Sequence, residues 1–336
     1  MSRSAKLMVV SDFDHTLTKF TSLQCHDVVG MHQSFTKEFI KEFKDSFKLP
    51  FDSISEWWRF THDLIVDKSG LTRAMLQERM NEGIVHPRSG FGELTVSLRE
   101  YSVPFVIVSA GFKDVIHHTL TVCNAPTDTD HLFHIDANYL EFKECGRLGS
   151  ILPVDPVHSY CKHTVVERAP HMFAFIQEGR LFESDITTDE TAVSSLLNSN
   201  ASVTDCVKVV LGENESATPA PSTPTNCEAR LSEAAASVSS ANPAPVVAIV
   251  MGDRPPDFDV LAAFPDVIQF RIGFARTFEA EHVEPLLTQG ECDVVLVGHE
   301  HGLESVQLLI DELLTLRDED GSLSTDCEAE KTAIAL

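Results

Sequence analysis

Two aspartates follow a short apolar segment near the start of the chain, in the string VVSDFDHTLT, which contains Asp12 and Asp14. A carboxylate such as that of Asp12 can attack phosphorus and hold the phosphoryl group as an acyl phosphate. A second carboxylate two positions later can protonate the leaving alcohol and then deprotonate the attacking water. The string therefore predicts phosphoryl-transfer chemistry, with Asp12 as nucleophile and Asp14 as general acid and base. The simpler alternative is that these aspartates are turn residues at a strand end.

Two later segments contain groups that can bind a phosphate. Ser109 ends the apolar segment VPFVIVSAG, where its hydroxyl and the backbone N–H groups of Ala110 and Gly111 can bind phosphate oxygens ahead of a helix. Lys162, in HSYCKHT, can neutralise both the nucleophile and the phosphate. Taken one at a time, these residues have simpler explanations, which are a helix N-cap for Ser109 and a solvated side chain for Lys162.

A third segment, GDRPPD, predicts a metal site. It places Asp253 at the end of the strand-like run VVAIVM and Asp257 four residues later. Paired carboxylates on a strand-end loop suit an octahedral magnesium ion that keeps several waters. A cation is needed because an anionic nucleophile otherwise has to approach an anionic phosphate, so we expect Mg²⁺ as the cofactor. The similar segment 207–215 lacks a second acid four residues after Glu213, and we reject it as the metal site.

The order of apolar segments predicts an α/β fold. Residues 6–11 (KLMVVS) form a continuous apolar run, which is typical of a fully buried strand. From Gly90 onward, helical segments alternate with short apolar segments, and this alternation predicts a Rossmann-like, doubly wound parallel sheet. Ligands bind at the carboxyl ends of the strands in such sheets, so the candidate residues would meet at one edge. The later strand segments are VPFVIVSAG, VVAIVMGD, DVIQFRIG and CDVVLVG.

A helical block separates the first strand from the rest of this pattern. Phenylalanines recur every four residues from Phe35 to Phe47 and predict one apolar helix face that packs against neighbouring helices. Two more helices are expected over 53–66 and 71–80. We therefore expect residues 19–86 to form a helical cap domain.

The remaining boundaries follow from composition. We expect the catalytic core to consist of residues 1–18 and 87–316. An insertion is expected at 172–245, and its Pro-, Ser-, Thr- and Ala-rich part, 213–245, is expected to be largely disordered. The acidic residues 317–336 are expected to form a loose tail.

Charge and composition limit the class of partner. The net charge of -25 disfavours a nucleic-acid polymer but not a small phosphate ester, because one lysine and one metal ion can reverse the local field. The eight cysteines are scattered without a CxxC pair, which argues against a structural zinc site or a disulfide scaffold. No apolar run approaches the ~20 residues of a membrane span. We expect a cytoplasmic monomer without a membrane partner.

These segments together resemble the haloacid-dehalogenase-like superfamily and, within it, the pyrimidine 5'-nucleotidase family of cytosolic 5'-nucleotidase III-like proteins. The resemblance covers 6–170 and 246–315. Beyond the motifs above, it rests on ISEWWRFTHDLIV, SVPFVIVSAGFKDVI, ANYLEFKECGRLG and FRIGFARTFEAEHVEPLL followed by CDVVLV. It implies a Rossmann-like core, a helical cap inserted after the first motif, and hydrolysis of nucleoside 5'-monophosphates.

The resemblance also implies a role for each matching residue. Asp12 would be the nucleophile and Asp14 the general acid and base. Asp253 and Asp257 would hold magnesium together with Asp12 and the backbone carbonyl of Asp14. The implied phosphate-binding residues are Thr16, Ser109, Ala110, Gly111 and Lys162.

Recognition of the base is implied for the cap. Trp58 falls where the family presents an aromatic side chain that stacks on the base, and a tryptophan there resembles members that also accept 7-methylguanosine monophosphate. Packing within the cap is the alternative for Trp57 and Trp58. The family has an acidic residue that contacts the nucleotide, but the corresponding segment KLPFDSIS is shortened here, and Asp52 is the candidate. Glu56 also fits a helix capping box with Ser53.

Three functions are compatible with these residues. The first is a magnesium-dependent 5'-nucleotidase that acts on a pyrimidine or 7-methylguanosine monophosphate through a phosphoaspartate. The second is a phosphatase of the same mechanism that acts on a non-nucleotide such as phosphoserine or a sugar phosphate. The third, which we disfavour because every catalytic position holds the expected residue type, is an inactive binding protein on the same scaffold.

Overall fold

A computed structural model of the protein describes residues 4–125, 132–178, 186–187, 246–299 and 301–315. The strands in these ranges are β1 (Ser4–Ser11), β2 (Phe105–Phe112), β3 (Phe133–Phe142), β4 (Leu148–Leu152), β5 (Ile186–Thr187), β6 (Val246–Gly252), β7 (Ile268–Ala275) and β8 (Val294–Val297). They form one sheet in the order β4-β3-β2-β1-β6-β7-β8, and β5 pairs with β1 outside this path. β4 and β5 pair with their neighbours in the antiparallel sense, and the other pairs are parallel.

Helices connect the strands and cover both faces of the sheet. They are α1 (Cys25–Gly30), α2 (Lys37–Ser46), α3 (Ile54–Leu64), α4 (Arg73–Asn81), α5 (Phe91–Glu100), α6 (Lys113–Val122), α7 (Val165–Arg168), α8 (Pro170–Glu178), α9 (Ala280–Thr288) and α10 (Glu304–Thr315). Two 3₁₀ turns cover Ser159–Thr164 and Pro255–Leu261. The predicted Rossmann-like α/β fold is confirmed. None of the helices in the described ranges is long and apolar enough to cross a membrane.

The apolar run of β1 is continuous because both faces of this central strand are covered. Successive side chains of a strand point to opposite faces. Leu7 and Val9 accordingly lie in one buried cluster with residues of α5, α6 and α10, whereas Met8 and Val10 lie in a second cluster with residues of α7, α8 and α9. Burial on both faces fixes the strand in the centre of the sheet, and its carboxyl end becomes a rigid support for the residues that follow.

α8 lies in the second cluster, where Met172 and Phe173 are fully buried. The structure therefore packs the first residues of the expected 172–245 insertion against the sheet. Apart from 186–187, the rest of that insertion beyond α8 lies outside the described residues. The rejected segment 207–215 and the acidic tail 317–336 lie outside them as well.

The expected helical block is present as α1 to α4. α3 and α4 begin after the N-cap residues Ser53 and Thr72, and a π-turn, Ile65–Ser69, follows α3. Three of the four phenylalanines in the predicted stripe are buried, but Phe47 is 49% exposed because it lies at the C-cap of α2. Its ring still contacts that of Trp57, with 5.0 Å between the centroids.

The chain enters and leaves this block at one place. Thr18 and Pro87 form an isolated β-bridge, and the Lys19 amide donates to the carbonyl of His86 over 2.8 Å. The two chain segments that join this block to the sheet therefore lie side by side, as expected for an inserted domain. The boundaries 19 and 86 remain a proposal, and we use the name cap for residues 19–86.

Candidate active site

Asp12 is the first residue after β1. Its amide donates to the Met251 carbonyl over 3.0 Å, which continues the pairing with β6 by one residue. The chain then turns sharply: His15 has a φ of 66°, and the Thr16, Leu17 and Thr18 amides all donate to the Phe13 carbonyl. The turn brings the Thr16 hydroxyl back to Asp12, where it donates to Oδ2 over 3.4 Å.

Lys162 bridges two carboxylates at this strand end. Its Nζ donates to Asp12 Oδ1 over 2.5 Å and to Asp257 Oδ1 over 2.6 Å. Lys162 is 3% exposed, and the 3₁₀ turn Ser159–Thr164 carries it. The alternative of a solvated lysine is therefore wrong. A buried ammonium with two anionic partners is a charge-assisted contact that holds both carboxylates in position.

Three carboxylates form an acidic cluster around this lysine. One oxygen each of Asp12, Asp253 and Asp257 lies within 4.8 Å of the others. The 3₁₀ turn Pro255–Leu261 orients Asp257, whose Oδ2 accepts from the Arg254 amide over 2.9 Å. Hard divalent cations prefer such all-oxygen donor sets. The cluster therefore fits a divalent cation.

Asp14 has a different environment from this cluster. The Cys25 amide at the start of α1 donates to Asp14 Oδ1 over 3.1 Å and to Oδ2 over 3.2 Å. Gly111 approaches from β2, because a Cβ atom at that residue would lie 3.1 Å from Asp14 Oδ2. Asp14 thus lies between the start of helix α1 and the carboxyl end of β2.

Burial and the neighbouring charges together shift the pKa values of these groups. It raises the pKa of the Asp12 carboxyl, and the Lys162 ammonium opposes this effect. Burial, together with the Asp12 charge, raises the pKa of Asp14 to about 7. For Lys162, burial lowers the pKa, but Asp12 and Asp257 outweigh it and the pKa lies above its ordinary value. Lys162 is therefore charged at neutral pH, and Asp14 is poised between its two forms.

The carboxyl end of β2 contains Ser109, Ala110 and Gly111, which leave the regular pairing with β3; we call them the Ser109–Gly111 loop. Ser109 is 1% exposed, and its Oγ accepts from the Gly111 amide over 3.0 Å. The N-cap alternative for Ser109 is wrong, since α6 begins at Lys113 and its N-cap residue is Phe112. One of the amides expected to bind phosphate, that of Gly111, is directed to the Ser109 hydroxyl in this structure.

Trp57 and Trp58 both pack within the cap. The Trp58 ring lies 4.8 Å from that of Trp57, 5.5 Å from His62 and 6.2 Å from His26, measured between centroids. His26 directly follows Cys25, whose amide binds Asp14. Trp58 therefore contacts the residue that follows Cys25, whose amide binds Asp14. Its role in base recognition remains a prediction.

Asp52 is exposed and precedes α3. Its amide donates to Glu56 Oε2 over 3.0 Å, and the Glu56 amide donates to Ser53 Oγ over 3.2 Å. Glu56 therefore takes part in capping α3. The structure does not bring Asp52 into the carboxylate cluster.

Some contributors to the site have no sequence signal. Backbone amides of Cys25 and Arg254 fix Asp14 and Asp257, and any residue type except proline has such an amide. His15 lies inside the DxDxT string, yet sequence reasoning gave it no role. Its Nδ1 lies 3.8 Å from Asp253 Oδ2 and 3.2 Å from the side-chain Nε2 of Gln24.

An aspartate directly after the first strand of a Rossmann-like sheet, a buried lysine on a nearby 3₁₀ turn and further aspartates after β6 form the arrangement expected of haloacid-dehalogenase-like phosphatases. In agreement, the structure is similar to the crystal structure of cytosolic 5'-nucleotidase IIIB bound to cytidine. The TM-score is 0.56 at 17% sequence identity, over 93% of this chain and 84% of that one.

At the level of sequence, the chain is similar to a narrower group of proteins, the 5'-nucleotidases. Residues 25–183 match the family model described as Pyrimidine 5'-nucleotidase (UMPH-1). The chain is 27% identical over 181 residues to the 7-methylguanosine phosphate-specific 5'-nucleotidase of Gallus gallus, which is 48% of this chain and 61% of that relative. It is 26% identical over 191 residues to the A form of Xenopus laevis, covering 50% and 63% of the two chains. The resemblance to the pyrimidine 5'-nucleotidase family is thus confirmed, although the matched region spans less than two thirds of these relatives.

Proposed function

We propose that the protein is a magnesium-dependent 5'-nucleotidase that hydrolyses nucleoside 5'-monophosphates through a phosphoaspartate on Asp12. The observation that carries this proposal is the buried contact of Lys162 with Asp12 at the end of β1, beside two further carboxylates. The family match and the names of the relatives support the substrate class.

Asp12 is the proposed nucleophile. A carboxylate oxygen forms a bond to phosphorus as the bond from phosphorus to the 5'-oxygen breaks, and Asp14 in its protonated form transfers its proton to that oxygen. The products of this step are the nucleoside and a phosphorylated Asp12. Asp14, now a carboxylate, accepts a proton from a water whose oxygen attacks phosphorus. Inorganic phosphate leaves, and Asp12 and protonated Asp14 are restored.

The pKa of Asp14, about 7, supports this double role. A group that both donates and accepts a proton in one cycle works best when its pKa lies near the operating pH. Lys162 holds Asp12 in one orientation and adds a positive charge beside the reacting phosphate. The carboxylates of Asp12, Asp253 and Asp257 would hold Mg²⁺, which when bound supplies charge neutralisation for the phosphate. Thr16 and the loop Ser109–Gly111 are the proposed phosphate-binding groups.

The proposed substrates are pyrimidine and 7-methylguanosine monophosphates. Two relatives are named as specific for 7-methylguanosine phosphate, and the similar crystal structure contains cytidine. We propose Trp58 as the aromatic side chain that stacks on the base, because it is on the cap and contacts His26, next to the residue that binds Asp14. A location in the cytoplasm and a monomeric state are parts of the same proposal.

The test is phosphate release from CMP, UMP, 7-methyl-GMP, AMP, phosphoserine and a sugar phosphate, with magnesium and with EDTA. The expected result is magnesium-dependent release from CMP, UMP or 7-methyl-GMP that Asp12→Asn abolishes. Release from non-nucleotides alone would retain the mechanism but replace the substrate with that of the second candidate, a phosphatase for other esters. No release by a folded protein would contradict the proposal.

A further inference from the structure

Asn138, in β3, has a fully buried side chain whose polar groups are all engaged by backbone atoms. Its Oδ1 accepts from the Val157 amide over 2.9 Å, and its Nδ2 donates to the Val157 carbonyl over 3.0 Å. The same Nδ2 donates to the carbonyls of Ala110 over 2.8 Å and of Gly111 over 3.3 Å. One amide group therefore joins two separate backbone segments.

The first of these segments, residues 109–111 of β2, leaves the regular hydrogen bonding with β3, so its carbonyls need other donors. In the pairing of β2 with β3, Val108 lies opposite Asp136 and Phe112 lies opposite Asn138. Four steps along β2 thus match two steps along β3, so the backbone of residues 109–111 bulges out of register. Buried carbonyls in a bulge require other donors. The Asn138 side chain supplies them.

The second segment leads directly to Lys162. Val157 is followed by His158, the N-cap residue of the 3₁₀ turn that carries Lys162. The Cys161 amide donates to the His158 carbonyl over 3.0 Å, so the turn is built on the residue next to Val157. Asn138 consequently fixes the distance between the Ser109–Gly111 loop and the base of the Lys162 turn.

We propose that Asn138 is a positioning residue for the phosphate site, which holds the Ser109–Gly111 loop and Lys162 in register with each other. The inference rests on the proposed function, because that function requires both groups to bind one phosphate. Asn138 does not touch the substrate. It acts through the backbone of the two segments, and the chemistry of its amide, with both donors and an acceptor used, is suited to no other side chain of this size.

The test compares Asn138→Ala and Asn138→Asp with Ile135→Ala. The alanine variant removes every contact of the amide. The aspartate variant keeps the size and the Oδ1 acceptor but loses the N–H donors to the carbonyls of Val157, Ala110 and Gly111. Ile135, also in β3, is buried in the apolar cluster and lies opposite Ile107 of β2, so its variant loses stability without removing a side-chain hydrogen bond to either segment.

Two readouts at a temperature where all variants are folded separate positioning from stability. One is the binding of inorganic phosphate in the presence of magnesium, measured by calorimetry. The other is the KM and kcat for p-nitrophenyl phosphate, which needs no nucleotide specificity. Both Asn138 variants should weaken phosphate binding and raise KM by about tenfold or more, as expected for groups left unpaired in a buried site. Ile135→Ala should change neither quantity.

Wild-type phosphate affinity and KM in folded Asn138→Asp, or equal losses in Ile135→Ala, would overturn the inference. Absence of phosphate binding by the wild type would overturn it too. If the wild type cleaves p-nitrophenyl phosphate but no nucleotide, the proposed substrate fails while the Asn138 comparison still holds. Should Asn138→Ala not fold, the isosteric aspartate variant decides.

Discussion

Ser55 Oγ and His158 Nε2 lie 2.7 Å apart, and this contact joins helix α3 of the cap to the N-cap residue of the Lys162 turn. Arg59, one helical turn after Ser55, pairs with Asp155 on the same loop, with 2.5 Å between nitrogen and oxygen. Residues four apart share one face of a helix. One face of α3 is therefore fastened to the loop that leads to Lys162, and the position of the cap is linked to that of the lysine.

Ser55→Ala should loosen the cap. The substitution leaves His158, which is 7% exposed, without its hydroxyl partner, at a cost of about 1–3 kcal/mol to the closed arrangement. Hydrogen exchange should therefore be faster in α3 and in residues 155–162, and the KM for the substrate should rise. Arg59→Ala is the comparison: its ion pair is exposed, so the expected effect is about 0–1 kcal/mol. Equal exchange in Ser55→Ala and the wild type would contradict a closing role for this contact.

Lys162→Met should destabilise the protein in a way that magnesium partly reverses. Removal of one partner from a buried ion pair typically costs about 3–5 kcal/mol, because the remaining charges are uncompensated. The carboxylates of Asp12 and Asp257 would lose their shared cation. A divalent cation in the cluster restores positive charge there, so it should raise the melting temperature more in this variant than in the wild type.

Thermal denaturation with EDTA and with magnesium measures this difference. The matched control is Lys48→Met, which breaks an exposed ion pair with Asp45 and should leave both melting temperatures close to those of the wild type. If Lys162→Met gained no more from magnesium than the wild type, the cluster around Lys162 would not be the metal site.

The core of the site could be predicted from the sequence because it follows local patterns. β1 and β6 are continuous apolar runs, which a central parallel strand requires, and Asp12 and Asp253 directly follow them. Parallel neighbours in a sheet bring their carboxyl ends together. The strand pattern was therefore sufficient to place Asp12 and the GDRPPD segment at one edge. Lys162 lies on a 3₁₀ turn beyond the antiparallel strand β4, so the strand pattern alone does not place it there.

Other features depend on partners that are distant in the chain. The strands β3 and β4 are not marked by a continuous apolar run in the sequence, because β3 has both exposed and buried positions along its length. The apolar pattern therefore did not predict this antiparallel pair. The role of Asn138 arises from the bulge in β2, which no local pattern of β3 indicates. The contact of Ser55 with His158 spans 103 positions. Such contacts are set by the packing of cap on core, and the sequence carries no separate sign of them.

The stability of the cap should depend on His62. Its ring lies between those of Trp58 and Phe112, and its Nε2 has no hydrogen-bond partner in the described part of the chain. Burial lowers the pKa of His62 to about 4. The unfolded chain, with a histidine pKa of about 6.5, binds a proton that the folded protein does not. Stability should therefore fall as the pH drops from about 6.5 to about 4, by about 3 kcal/mol in total from this group.

Urea denaturation at a series of pH values tests this expectation. His62→Asn removes the titration, so its stability should fall less steeply than that of the wild type over this pH range, whatever its absolute stability. His163→Asn, at an exposed position, is the control: it keeps the His62 ring and should retain the fall in stability that His62 causes. Parallel curves for His62→Asn and the wild type would mean that His62 does not titrate differently on folding.

Gly111→Ala should disturb Asp14, and a second substitution should relieve the effect. A Cβ atom at residue 111 would lie 2.6 Å from Cys25 Cβ and 2.7 Å from its Sγ, distances at which one of the two backbones has to move. Cys25 is the residue whose amide binds Asp14, so a shift would displace the proposed general acid. We expect a loss of about 1–3 kcal/mol in stability, as for other overpacked sites, together with a lower kcat.

Cys25→Gly removes both clashing atoms but keeps the amide that binds Asp14. The double variant should therefore recover a large part of the stability and kcat that Gly111→Ala loses, although Cys25→Gly alone should be destabilising. Two residues in contact show such coupling in a double-mutant cycle, whereas independent residues give additive effects. Chemical denaturation and kcat for all four proteins provide the cycle. Additive losses would mean that Gly111→Ala acts by some route other than displacement of Cys25, and the proposed link from β2 through α1 to Asp14 would have to be given up.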